Sequence, residues 1–184
     1  MSILLKEEIL KEYENKKIVI SPYNEKNLGP NSYDVTLSNQ LTVYELEDGE
    51  LDSRKENKTI TFEIPEEGIM LHPGILYLGS TIEKIGSDHH VPMYEGRSSI
   101  ARLGIQSHIS AGFGDIGFKS QWTLEIIVVH PVRIYQNERM GQIFFHHANP
   151  EANNPENRYS GKYVDQEGPT ASKSFLDKIR DLTI

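Results

Sequence analysis

Residues 121–130 read QWTLEIIVVH. Taken as a strand, a period of two places Trp122, Leu124, Ile126 and Val128 on one face. Gln121, Thr123, Glu125, Ile127 and Val129 take the other. Glu125 therefore lies in a strand with apolar neighbours on both sides, flanked on its own face by Thr123 and Ile127. A carboxylate there is either paired or desolvated, and desolvation raises its pKa toward the range useful in general acid–base work. The competing reading is a structural or surface glutamate.

Outward from this stretch the pattern repeats. YDVTLSNQLTVYEL, TITFEIP, ILYLGSTIEKI, PVRIYQ and GQIFFHH are further short β-rich runs separated by turn residues. Such spacing predicts an all-β sandwich or barrel with short helices, not alternating βαβ units. At the N-terminus, Ser2 is placed to cap a helix whose apolar positions Leu5, Ile9 and Tyr13 recur every four residues, before the chain breaks into KIVISP. After His147 the sequence turns rich in Asn, Pro, Gly, Ser and charge, so residues 148–184 read as a mobile tail of a single 1–184 domain. A last short helix is expected there, with Phe175, Ile179 and Leu182 on one face.

The chain has 184 residues, which suits one domain with a real core. Its net charge of −8, with no run of basic residues, disfavours a nucleic-acid polymer as partner but leaves room for a small anion in a local basic pocket. The absence of cysteine excludes disulfides, thiolate metal sites and cysteine nucleophiles, and fits a reducing interior. MSILLKEEILKEYENKK is too charged for a signal peptide and no segment approaches a membrane span, so a cytoplasmic protein is expected.

Three stretches carry candidate chemistry. EGRSSIARLGI, residues 95–105, gathers Arg97, Ser98, Ser99 and Arg102 after a glycine, a compact donor set suited to an anion. SAGFGDIGFKS sets Asp115 among Gly112, Gly114 and Gly117, where exposed main chain and a carboxylate could read a polar ligand; alternatively Asp115 caps its own turn. His89–His90 and His146–His147 are adjacent pairs, and on a strand neighbours point to opposite faces, so neither pair is arranged to chelate one ion. Zinc-dependent nucleobase deaminases need a His/Cys set, and that route is closed without cysteine.

Together, EGRSSIARLG, AGFGDIGFKSQWTLE and GKYVDQEGPTAS resemble the dCTP deaminases of the trimeric dUTPase superfamily. ISPYNEKNLGPNSYDVTLSN and LHPGILYLGSTIEKI are similar to the family's earlier blocks, so the resemblance covers most of the chain. It implies a dUTPase-like distorted β-barrel or jelly roll (β-clip), a homotrimer with sites at subunit interfaces, and zinc-independent deamination of a deoxycytidine nucleotide. By motif position, Glu125 matches the proton-shuttling glutamate, Ser98 and Arg102 help order the water and leaving amine, and Ala111 offers its carbonyl to the water. Arg97 and Ser99 match phosphate contacts, and Ile100 and Ala101 belong to the same substrate-binding motif. Asp115 reads the sugar hydroxyl, and the backbone from Thr123 through Leu124 to Glu125 faces the base. Gln142, Tyr159, Lys162 and Gln166 complete the implied substrate contacts, with Tyr159 the candidate phosphate-binding tyrosine of a tail shorter than the family pattern. Ser120 and Gln121 stand where the family often has a small glycine. The tail is implied to act as a lid, Mg²⁺ to ride on the substrate phosphates, and dTTP to be a candidate feedback inhibitor.

The leading expectation is deamination of dCTP to dUTP and ammonia, with Glu125 as general acid and base. The alternatives are a bifunctional enzyme that releases dUMP and pyrophosphate, or a deaminase that accepts dCMP. A plain dUTPase leaves Glu125 without a role, and a non-catalytic nucleotide sensor leaves the whole catalytic set unexplained.

Overall fold

A computed structural model describes residues 2–149 and 154–177. The first helix, α1, spans Lys6–Glu14 and does not begin at Ser2. Instead the Ser2 carbonyl accepts from the His147 N–H at 3.1 Å and Ile3 bridges His146, so the N-terminus extends a sheet edge. Leu5 precedes the helix, and the Glu8 carboxylate accepts its N–H at 2.9 Å. A tertiary pairing has displaced the local cap. Ile9 carries α1 into the core.

The strands follow in order: β1 (Ile18–Ser21), β2 (Tyr33–Thr36), β3 (Gln40–Tyr44), β4 (Thr59–Glu63), β5 (Ile69–Leu71), β6 (Tyr77–Ser87) and β7 (His90–Gly96). A single turn of helix, α2 (Ser98–Ala101), then precedes β8 (Ile105–Gln106), β9 (Gln121–Val128), β10 (Val132–Ile134) and β11 (Arg139–His147). One sheet runs β4-β3-β6-β9-β8, with β1 also on β6; a second runs β2-β11-β7; β5 and β10 form a small ribbon. Each of these ladders is antiparallel. The expectation of an all-β architecture with short helices holds.

β7 did not stand out in the sequence because Pro92 interrupts its run. It is tolerated because β7 is an edge strand of its sheet and Pro92 faces away from β11, toward the 112–114 loop. There its carbonyl accepts the Gly114 N–H at 2.9 Å and no ladder bond needs its missing N–H. The larger and smaller sheets meet over Tyr33, Val35, Leu41, Ile85, Tyr94, Leu124, Ile126, Ile143 and Phe145, all buried. Each such side chain contributes roughly 1.5–3 kcal/mol by leaving water. Glu83 of β6 is buried between them and accepts from the Thr36 N–H (2.9 Å) and hydroxyl (2.8 Å) of β2. Burial pushes its carboxyl above the usual range, and the Thr36 bonds oppose that. Among the described residues no helix is long and apolar enough to cross a membrane.

α1 is held to the second sheet through histidines. His90 and His147 are cross-strand partners with rings 5.6 Å apart, and Glu12 and Glu8 reach them at 3.1 and 3.6 Å. Burial pushes the His90 imidazole below its ordinary value of 6.5, against the pull of Glu12. The folded state therefore disfavours protonation, and the unfolded chain binds the extra proton first as pH falls below 6.5. Stability from this site is present above 6.5 and is lost as pH drops toward the depressed folded value. Urea midpoints at pH 7 and pH 5 are expected to differ more for the unaltered protein than for His90→Gln; equal differences would remove His90 from the acid response.

Candidate active site

β9 positions the site. Its burial alternates along the whole strand, with Trp122, Leu124, Ile126 and Val128 inward and Gln121, Thr123, Glu125 and Ile127 partly exposed. Trp122 is pinned by its N–H to the Thr81 hydroxyl and its indole N–H to the Ile85 carbonyl, both at 2.9 Å. With the inner row so held, Glu125 must face outward. Its Oε2 accepts the Ile109 N–H at 2.8 Å, so the carboxylate is half-buried and oriented by the loop that leads from β8.

That loop then passes over the strand. Gly114 runs so close to Trp122 that a Cβ would lie 2.4 Å from the indole, and Gly117 has φ +94°, a left-handed conformation that glycine adopts freely. The Asp115 carbonyl accepts the Phe118 N–H at 3.2 Å, whereas the Asp115 carboxylate has no side-chain hydrogen bond among the described residues and is exposed. The turn is closed by main chain, which leaves this carboxylate available to a ligand.

A cavity of about 280 Å³ lies between this loop, β9 and the tail. Ala111, Asp115, Thr123, Glu125, Tyr159 and Gln166, all picked out in the sequence, line it, together with Phe113, Gly114, Phe118, Trp122 and Tyr163. Leu124 faces the core beneath. The sequence reading missed the aromatic wall of Phe118, Trp122 and Tyr163. Trp122 lies on the buried face, as the period of two predicts, but its edge still reaches the cavity. Asp115 and Tyr159 also border a second opening beside Arg158.

The cationic motif lies elsewhere on the same chain. Arg97 precedes α2 and pairs with Asp34 at 3.2 Å, and Arg139 joins the same carboxylate at 3.1 Å. Ser98, Ser99, Ala101 and Arg102 are exposed, and Ile100 packs against the core. Gln142 accepts from the Ser32 hydroxyl at 2.8 Å on the second sheet. None of these lines the Glu125 cavity. Lys162 donates to Asp177 at 2.5 Å, and that bond holds its ammonium above the usual range. Among the described residues no group of three or more His, Asp or Glu is arranged to hold a metal ion.

A family model described as dCTP deaminase-like matches residues 3–148. The chain belongs to the dCTP deaminase-like family. A "dCTP deaminase, dUMP-forming" of Clostridium acetobutylicum is 49% identical over 170 residues, covering 92% of this chain and 95% of its own. A protein of the same name from Hathewaya histolytica is 50% identical over 163 residues, covering 89% and 92%. The crystal structure of 2'-deoxycytidine 5'-triphosphate deaminase from Agrobacterium tumefaciens has a TM-score of 0.63 at 16% identity, over 79% of this chain and 48% of that one. That likeness bears on fold, and the dUTPase-like architecture expected from the sequence holds. In this dCTP deaminase-like chain the acidic and aromatic residues meet at one cavity, and the arginine–serine turn presents its donors on another surface.

Gly114→Ala tests how tightly the site loop is packed. Forcing a methyl against Trp122 is expected to cost about 1–3 kcal/mol and to shift the emission of the single tryptophan, read by fluorescence-monitored urea unfolding. A loss within measurement error would mean that the loop moves freely and does not fix Asp115.

Proposed function

We propose that this protein hydrolyses dCTP to dUMP, ammonia and pyrophosphate. The sequence puts deamination to dUTP first and the dUMP-forming activity second; relatives 49% and 50% identical, both named dUMP-forming, favour the second. The observation that carries the reading is the convergence of Glu125, Asp115 and Ala111 on one cavity walled by aromatic rings.

In the proposed deamination, Glu125 takes a proton from a water held by the Ala111 carbonyl, and the hydroxide adds to C4 of cytosine. The same carboxyl delivers that proton to N3, then takes the proton of the new C4 hydroxyl and passes it to the amino group, so that the C4–N bond breaks, ammonia leaves and the C4 carbonyl forms. The main chain from Thr123 to Glu125 reads the base, and Asp115 accepts from the sugar hydroxyl. For the second hydrolysis a water attacks the α-phosphate and expels pyrophosphate, with Asp115, which borders both openings, the candidate to orient it.

In the arginine–serine turn, shaped by Ile100 and Ala101, Arg97 and Ser99 are assigned to the phosphates and Ser98 and Arg102 to the water and leaving amine. Gln142, Tyr159 and Lys162 add ligand contacts, and the positive charge for the triphosphate comes from Arg97, Arg102 and Lys162. That turn and Gln142 do not line the cavity of their own chain, which supports a homotrimer in which a neighbouring copy completes each site. The described residues offer phosphates guanidinium and ammonium groups, so Mg²⁺ fits as a companion of the triphosphate, where it offsets negative charge. Residues 148–184 act as a lid within a single domain, and Gln166 closes on the base side. dTTP, a pyrimidine triphosphate, suits the same determinants as a feedback inhibitor. A cytoplasmic setting agrees with the lack of cysteine and the nucleotide substrate.

Incubation with dCTP, dCMP or dUTP and Mg²⁺, resolving nucleotides, ammonia and pyrophosphate, tests this directly. The expected result is ammonia and pyrophosphate together from dCTP, with dUMP as product. Accumulating dUTP without pyrophosphate would restore the plain deaminase, and pyrophosphate from dUTP with no ammonia from dCTP would mean a dUTPase. Glu125→Gln is expected to abolish ammonia release, by more than about 1000-fold, while nucleotide binding measured by calorimetry persists; normal turnover would dismiss Glu125 as proton carrier. Lys162→Ala is expected to weaken triphosphate binding roughly tenfold and monophosphate binding little. Equal weakening of both would place Lys162 away from the terminal phosphates.

A further inference from the structure

Gln121 begins β9, on the same outer face as Thr123 and Glu125, and its polar groups join the tail to the sheet. Its side-chain Nε2 donates to the Ile82 carbonyl at 3.1 Å, and its Oε1 accepts the Gly168 N–H at 2.7 Å. Its main-chain carbonyl accepts from Gln166 Nε2, also at 2.7 Å. Two residues along, the Thr123 hydroxyl accepts the Thr170 N–H at 3.3 Å. Tail amides at 168 and 170 thus meet side chains at 121 and 123, matched in their period of two, and the next residue in that row is Glu125.

The demand for an amide is chemical. The β6–β9 ladder shifts register between Ser80 and Lys84, and Ile82 falls inside that irregularity. Its carbonyl needs a donor, and Gly168 needs an acceptor. A glutamine supplies both from one planar group, whereas a lysine could only donate and a glutamate only accept. This stretch also meets β6 through the Lys84–Glu167 pair, whose exposed partners contribute little. The longer Thr123 bond is weaker than the Gln121 pair. Elsewhere the tail is tethered by Tyr159 to the Ile116 carbonyl, by Ser172 to the Tyr44 hydroxyl and by Ser174 to the Ser53 carbonyl, which flank residues 166–170 without holding them.

We infer that Gln121 is a positioning residue that latches residues 166–170 onto β9 and thereby sets Gln166 in the wall of the Glu125 cavity. It acts through Gln166 and the tail backbone. The consequence for turnover rests on assigning that cavity to a deoxycytidine nucleotide.

Site-resolved hydrogen exchange on the ligand-free protein tests the latch without reference to the reaction. In the unaltered chain Gly168 is expected to exchange more slowly than Glu167. Gln121→Met keeps the side chain's bulk and removes both side-chain bonds, and it is expected to speed exchange at Gly168 and Thr170 while β6 and β11 keep their protection. Gln121→Ala serves as the second variant if the first fails to fold. With dCTP, KM is expected to rise roughly threefold to tenfold at a nearly unchanged kcat. Unaltered exchange at Gly168 in both variants would overturn the latch, and a fall in kcat at constant KM would overturn positioning in favour of a direct role. If the unaltered protein does not release ammonia from dCTP, the functional assignment fails while the exchange result still decides the latch.

Discussion

The alternation of β9 between core and cavity is the constraint on which the remainder of the site depends. Trp122, Leu124, Ile126 and Val128 are buried, and the two Trp122 hydrogen bonds fix the strand along its own axis. A slip of one residue would bury Gln121, Thr123 and Glu125 and expel four large apolar side chains. At roughly 1.5–3 kcal/mol for each apolar side chain, that alternative lies far above the native register. The core thereby pays for the placement of a carboxylate at a cavity edge, which no local preference of glutamate would secure.

Charge is divided across the molecule in a way that bears on how it works. The cavity side presents Glu125 and Asp115 against aromatic rings, and the arginine–serine turn presents its donors on a separate exposed surface. Within one chain the Arg97 guanidinium is neutralised by Asp34, which it shares with Arg139. A triphosphate ester of a pyrimidine nucleoside needs both an acid near the base and cations near the phosphates. Under the proposed assembly, one subunit supplies the first and a neighbour the second, so chemistry and oligomerisation are coupled.

The tail adds a further layer. Its described part, residues 154–177, is tied to the body by hydrogen bonds from main-chain amides and from the Gln166 and Ser174 side chains, and by the Arg158–Asp88 and Lys84–Glu167 ion pairs. Hydrogen bonds of this kind are individually modest and reversible, worth about 0.5–1.5 kcal/mol each. That suits the proposed role of a segment that lets substrate in and then closes, in contrast to the buried Glu83–Thr36 clamp that joins the two sheets.

Much of this was legible in the residues alone. Period-two patterning assigned both faces of β9, because burial on one face leaves an alternation that sequence records directly, whereas β6, buried along nearly its whole length, showed only as a β-rich run. The motifs around Arg97, Asp115 and Gln166 carried the family resemblance for the same reason that chemistry demands particular side chains. Other features needed the third dimension. Ser2 looked like a helix cap until its carbonyl met His147, and β7 was hidden by Pro92, which is harmless only because that strand lies at an edge. Ile179 and Leu182, expected on a final helix with Phe175, lie outside the described residues, and Phe175 itself sits in a short 3-10 turn. Local sequence determined most of the segments that became strands and which side chains could do chemistry. Only tertiary contacts decided that Glu125 and Asp115 share a cavity from which Arg97 and Arg102 are absent, since proximity across a sheet depends on pairings between residues far apart in the chain.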